Sequence, residues 1–319
     1  MGLRPDILAE WCFNFTKAGA PLALTIYRLS MEQGEIVSSY SYAALLYRGA
    51  KGVPADKVRG RAILESLANV NKKATINKNG FAPAMAAMGG IYARDDGNME
   101  MAEKYYVRAA QCGVPDAQLA LGRMYLNGEL PYNPSKAKLY LQVAAENDRA
   151  TDKANAETHF MLGSLEQRMG KPDVKRAFQH FQKAASKGLP EAQYNVGQSY
   201  FVGMGVPKND ALAVEYWKMS AQQGFGLAQL SLGAYYFQDE VPQEQTIPGS
   251  EASAGGDKPA TTKHVWDSSK KDLLQAQKWF TLASRRSGDL GLEGKRLRGK
   301  VEEAMRKGKG ARDGKCTIM

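Results

Sequence analysis

The sequence predicts an all-α fold, a right-handed superhelical solenoid of antiparallel helix pairs, and three patterns carry that prediction. First, about every 36 residues a small residue is followed at +4 and +5 by an aliphatic residue and glycine, and at +8 by an aromatic one. Ala84/Met88/Gly89/Tyr92, Ala117/Leu121/Gly122/Tyr125, Ala192/Val196/Gly197/Tyr200 and Ala228/Leu232/Gly233/Tyr236 all fit. Positions i, i+4 and i+8 share one helix face, so each copy builds a packing stripe. Second, each copy continues with an alanine, bulky groups at +3 and +4, and two small residues at +7 and +8. Examples are Ala102/Tyr105-Tyr106/Ala109-Ala110, Ala137/Tyr140-Leu141/Ala144-Ala145, Ala177/His180-Phe181/Ala184-Ala185, Ala213/Tyr216-Trp217/Ser220-Ala221 and Ala276/Trp279-Phe280/Ala283-Ser284. Small groups opposite large ones let a second helix approach the first closely. Third, turn residues punctuate both halves. Gly113, Gly188 and Gly224 end the second helices, while Gly203 to Pro207 and Gly52-Val53-Pro54 break the chain before Asp210 and Asp56 open the next helix.

The elements follow in order. Asp6 to Lys17 and Ala20 to Gln33 each read as a helix, so residues 1–37 form an atypical hairpin that caps the open end of the stack. Residues 38–290 form the solenoid. Its first copy is degenerate, with Ser39/Ala43/Ala44/Tyr47, and the copy at Thr158/Leu162/Gly163/Glu166 lacks the aromatic residue. The last copy is interrupted: one helix ends near Phe237, the next begins near Asp272, and roughly 239–270 is a polar insertion too poor in apolar groups to offset its ordering entropy. Nearest-neighbour stacking lets 319 residues with 44% apolar content fold without one large core.

The motif A-x-x-x-L-G-x-x-Y-x-x-G-x-G-V-x-x-D followed by A-x-x-W-[YF]-x-x-A-A-x-x-G resembles the Sel1-like repeat, a relative of the tetratricopeptide repeat. Residues 192–224 match it almost throughout. The resemblance implies a stack of helix pairs that binds proteins.

The chain carries a net charge of +10, and half of that excess lies in its last 29 residues. Residues 291–319 read as a flexible basic tail in which Lys307, Lys309, Arg312 and Lys315 precede Cys316-Thr317-Ile318-Met319. That ending fits a C-a-a-X prenylation box whose terminal Met favours farnesyl. One lipid chain anchors weakly, and cations facing anionic lipid supply the second attachment. Because the solenoid itself is only mildly basic, the charge distribution argues against nucleic acid as partner, leaving an RNA-binding helical repeat as the alternative. Cys12, Cys112 and Cys316 stand singly, which implies no disulfide framework and a reducing compartment, the cytoplasm. The first residues do not read as a charged-then-apolar leader, and no apolar run reads as long enough to span a bilayer.

No catalytic constellation, cofactor motif or metal-ligand spacing stands out, so the chain reads as non-enzymatic. His159, His180 and His264 are scattered, and His180 occupies a bulky packing position of a second helix. The first helices should line a groove that binds peptides or partner domains, with Gln118, Arg123, Gln193, Gln198 and Gln229 exposed along it. The combination of these repeats with a prenylation box is similar to that of fungal chitin synthase regulators, which implies an adaptor held on the cytosolic face of a membrane. A soluble scaffold without lipid is the simpler alternative.

Overall fold

The computed structural model describes residues 5–15, 19–69, 81–169, 172–237 and 272–313. Among the described residues there are fifteen helices and no strand. They fall into two compact units, Met1–Lys187 and Gly188–Met319. The first unit contains α1 (Pro5–Phe15), α2 (Gly19–Glu32), α3 (Ile36–Arg48), α4 (Lys57–Asn69), α5 (Ala82–Arg94), α6 (Met99–Gln111), α7 (Pro115–Asn127), α8 (Pro134–Ala145), α9 (Asp152–Arg168) and α10 (Val174–Ser186). The second contains α11 (Pro190–Val202), α12 (Asp210–Gln222), α13 (Gly226–Phe237), α14 (Leu273–Ser284) and α15 (Asp289–Asp313). Within each unit consecutive helices pack as pairs, and the second helix of one pair packs on the first helix of the next. The insertion over 239–270, Lys315 and Cys316 lie outside the described residues.

One contact recurs in every pair from α5/α6 to α13/α14. The glycine of the first helix lies against the bulky residue of the second, so closely that a Cβ there would sit 2.8 Å from Tyr106 at Gly89 and 2.6 Å from Leu141 at Gly122. The same distance is 2.8 Å to Phe181 at Gly163 and 2.5 Å to both Trp217 at Gly197 and Phe280 at Gly233. All five bulky groups are buried. The degenerate first copy inverts the arrangement: Ala44 takes the glycine position, and Gly60 replaces the leading alanine of the second helix. A Cβ on Gly60 would meet the backbone of Tyr47 at 2.7 Å and of Ala43 at 2.8 Å. The close approach survives because the missing methyl has changed sides.

Helix ends are satisfied locally, as burial demands of unpaired backbone groups. Asn98, Asn133, Thr151, Asp173, Asn209 and Asp272 each accept, through the side chain, a hydrogen bond from the backbone N–H three residues on. Asp56 caps α4 by accepting from the Arg59 amide at 2.9 Å. The cap of α12 is Asn209 and not the expected Asp210, which is its first helical residue. Gly113 ends α6 with φ at +78°, a left-handed turn that lets Val114 N–H reach Ala109 O at 3.2 Å.

The expectation of a flexible tail from residue 291 is corrected over its first part. Residues 289–313 form one helix that packs on α14 and touches α13. Val301 is fully buried there, and Leu297 and Met305 lie against the cluster around Ala276 and Phe280. The spacing 297, 301, 305 is a helical stripe hidden among charges.

Replacing Gly197 by Val should lower the urea midpoint of unfolding, costing about 1–3 kcal/mol, because the new methyls must displace Trp217. Trp fluorescence reports the change directly, and an unchanged midpoint would show that this contact is not tight.

Candidate functional site

The first helices were expected to offer a row of exposed polar groups. Arg123 is exposed and Gln198 half-buried. Gln118, Gln193 and Gln229, however, are buried at 3%, 3% and 5% exposure, which corrects their assignment to an open groove. Each directly follows the leading alanine of its helix, and Gln118 and Gln229 turn back toward the end of the preceding helix. Gln118 Nε2 donates to Ala110 O at 3.2 Å while its Oε1 accepts from Asn147 Nδ2 at 3.2 Å. Gln229 Nε2 donates to Ala221 O at 3.2 Å, and Gln193 Oε1 accepts from Gln223 Nε2 at 2.8 Å. Asn147 and Gln223 also donate to Gly113 O and Gly188 O, both at 3.0 Å. Within the first unit, Asn147 and Gln118 thus tie the ends of α6 and α8 together. Truncating one would leave partners unpaired and cost stability before it touched binding.

In three pairs the +8 aromatic of the first helix stacks on the +3 residue of its second helix. Tyr92 and Tyr105 have centroids 5.4 Å apart, Tyr125 and Tyr140 6.1 Å, and Tyr200 and Tyr216 5.9 Å. The α9/α10 pair departs from this. Glu166 stands where the aromatic should be and is buried, held by Lys138 Nζ at 2.7 Å. His180 instead meets His159, which occupies the glutamine position, with the two Nδ1 atoms 3.1 Å apart. Sequence reading left these histidines unconnected, since 21 residues separate them and only superposing the repeats brings them onto facing positions. Burial lowers His159 to about 4, with further contributions from His180 and Lys183. His180 is lowered too, by burial first and Lys183 second, against an opposing pull from Glu166. A neutral pair sharing one N–H satisfies this geometry. Among the described residues no three His, Cys, Asp or Glu side chains gather closely enough to hold a metal ion.

The expected membrane-facing cations Lys307, Lys309 and Arg312 fall within the backbone span of α15. Among the described residues no helix is long and apolar enough to cross a membrane.

Tandem helix pairs with a glycine-under-aromatic contact define a helical-repeat solenoid protein. The chain belongs to the Sel1 repeat family, whose profile matches residues 36–70, 82–114, 115–148, 156–189, 190–225 and 267–287. It is 26% identical over 248 residues to chitin synthase regulatory factor 3 of Schizosaccharomyces pombe, covering 66% of this chain and 26% of that protein. It is 26% identical over 185 residues to the ERAD-associated E3 ubiquitin-protein ligase component HRD3 of Candida glabrata, covering 56% and 22%. An uncharacterised Neisseria meningitidis protein is 31% identical over 121 residues, covering 38% and 24%. The chain thus spans about a quarter of the length of these curated relatives. The crystal structure of c5321, a protective antigen of uropathogenic Escherichia coli strains, superimposes with a TM-score of 0.70 at 23% identity, covering 94% of this chain and 56% of that one. A Sel1 repeat protein from Oxalobacter formigenes gives 0.63 at 18% identity, covering 90% and 100%. Both likenesses establish the fold.

The histidine pair has a pH consequence. A base whose folded pKa lies below its unfolded value of 6.5 leaves the folded chain with fewer protons than the unfolded one between the two values. Stability should therefore fall as pH drops from about 6.5 toward 4. Replacing His159 by Gln and His180 by Tyr, the residues of neighbouring copies, should flatten that slope by on the order of 1–2 kcal/mol across the window. Urea midpoints measured at several pH values check it, and an equal slope in both proteins would contradict it.

Proposed function

We propose that this chain is a non-enzymatic adaptor. Its repeats bind a protein partner, and a farnesylated Cys316 with the neighbouring cations holds it on the cytosolic face of a membrane. The observation that carries the partner-binding part is the run of Sel1 repeats over most of the chain, a family matched through packing positions. The fission-yeast relative is by name a chitin synthase regulatory factor. A membrane enzyme of that kind, chitin synthase itself in the most specific form of the proposal, is the partner that such a scaffold would reach from the membrane face.

The anchoring part rests on chemistry at residues 307–319. A thioether at Cys316 supplies one weak hydrophobic attachment. Lys307, Lys309, Arg312 and Lys315 supply attraction to anionic lipid of roughly 1 kcal/mol each near the surface. Both are needed for stable attachment, so removing either should release the protein.

In cells, the wild-type chain should sediment with membranes and Cys316→Ser should move to the soluble fraction with its helical content intact. Neutralising the four cations should also release it while leaving the lipid in place. The mass of the mature C-terminal peptide decides the anchoring claim: a peptide still ending in Thr317-Ile318-Met319 and carrying no prenyl group would overturn it. Proximity labelling with the wild type against Cys316→Ser then identifies partners met only at the membrane, and identical partner sets would separate partner binding from anchoring.

A further inference from the structure

Between the first two repeat pairs, α3, α4 and α5 enclose an open cavity of about 320 Å³. This is at the small end of ligand-binding cavities, which run from about 300 to 1,000 Å³, so it takes a group of residue size. Leu64, Ala87 and Ile91 make an apolar floor, with Leu64 and Ile91 almost fully buried. Arg48, Lys57 and Arg94 bring three positive charges to its lining, against one carboxylate, Asp95.

That carboxylate is already engaged. Asp95 accepts a hydrogen bond from the Tyr47 hydroxyl and another from Lys57 Nζ at 3.3 Å. Burial and this bond push the Tyr47 phenol up to about 12, so it stays neutral and does not add a second anion. Arg48 and Arg94 are both exposed. Neither makes an ion pair or side-chain hydrogen bond with another described residue. Two guanidiniums and an aliphatic floor line the same cavity, a chemistry suited to an anion attached to an apolar group.

We propose that this cavity recognises the C-terminal residue of a partner polypeptide, its free carboxylate held by Arg48 and Arg94 and its aliphatic side chain resting on Leu64, Ala87 and Ile91. The proposal deepens the partner-binding reading and is independent of membrane anchoring. A chain terminus fits better than an internal acidic residue. At a terminus the carboxylate and the side chain leave the same Cα, whereas in an extended segment the side chains of adjacent residues point to opposite faces. An inorganic anion would use the guanidiniums and leave the apolar floor uncovered.

The test uses the full-length protein and three fluorescein-labelled pentapeptides, Gly-Ser-Gly-Ser followed by Leu, Ile or Val with a free carboxylate. Each is compared by anisotropy with its C-terminal amide and with a version carrying Glu-Leu internally. At least one free acid should bind saturably. Its amide and the internal version should bind about tenfold or more weakly, as should the Arg48→Ala/Arg94→Ala variant to the free acid, because charge-assisted hydrogen bonds are lost. Arg61→Ala is the control for loss of an arginine outside the cavity: Arg61 is bound to Asp96 at 2.6 and 2.9 Å and does not line the cavity, so affinity should stay within about twofold. Circular dichroism verifies that the exposed arginine variants remain folded.

Absence of saturable binding for all three acids, equal affinity of acid and amide, or wild-type affinity in the double variant would each overturn the proposal. If the double variant keeps its full set of proximity-labelled partners while the peptides fail to bind, only the cavity assignment falls and the partner-binding reading stands.

Discussion

The spacing between the two helices of each repeat is fixed by one contact, a glycine backbone lying under a bulky side chain, and the rest of the fold is arranged around it. At Gly89, Gly122, Gly163, Gly197 and Gly233 the missing Cβ makes room for a ring or a leucine, which fills the space at interior density. The leading alanine of the second helix is fully buried in all five copies. The first repeat shows what is being preserved. Alanine has replaced glycine at position 44, glycine has replaced alanine at position 60, and the helices still approach closely, now backbone to backbone. The geometry is kept, not the residue at a given position.

Once the intrarepeat distance is set, the joins between repeats follow from backbone accounting. The last carbonyls of each second helix lie inside the stack where water is scarce, so side-chain amides satisfy them. Gln118 and Gln229 reach back eight residues to Ala110 O and Ala221 O. Asn147 and Gln223 reach back a full repeat to Gly113 O and Gly188 O. Gln118 uses both ends of its buried amide, which rigidifies the joint, whereas Gln229 uses only its Nε2. In the α9/α10 pair, where histidine takes the glutamine position and glutamate the tyrosine position, the polar groups pair among themselves: Lys138 with Glu166, His159 with His180. The substitutions are consistent because they occur together.

These relations also explain how much was legible from residues alone. The alanine, glycine and aromatic positions could be read because they repeat, and repetition separates packing from chance. The N-terminal helices, the end of α13 at Phe237 and the start of α14 beside Asp272 were signalled by apolar spacing and caps. Gln118, Gln193 and Gln229 were misplaced because polarity was equated with exposure. A first helix in the middle of a stack is flanked by its own partner and by the preceding second helix, so its buried arc is wider than one stripe, and α7 is buried on eight of its 13 residues. The His159–His180 contact and the Arg48–Arg94 cavity join residues from different helices. Neither leaves a spacing in the chain, and both become visible only when adjacent helices are placed side by side.

The C-terminal region was obscured for a different reason. Its charge excess suggested a solvated tail, yet a helix needs only a narrow apolar stripe to be held, and Leu297, Val301 and Met305 provide one against Phe280 and its neighbours. Gly294 completes the fit, since a Cβ there would stand 2.6 Å from the Ser284 backbone. Cations on the remaining arc cost little while they stay in water. Packing and charge therefore occupy the same helix without conflict: the stripe fixes α15 to the last repeat, and the other positions carry the basic groups. Since α15 runs to Asp313, two residues separate it from Cys316 in the sequence. A lipid on that cysteine would be joined to the final repeat by a short connection, so the repeat and the bilayer would be held close together instead of being linked by a long free tether.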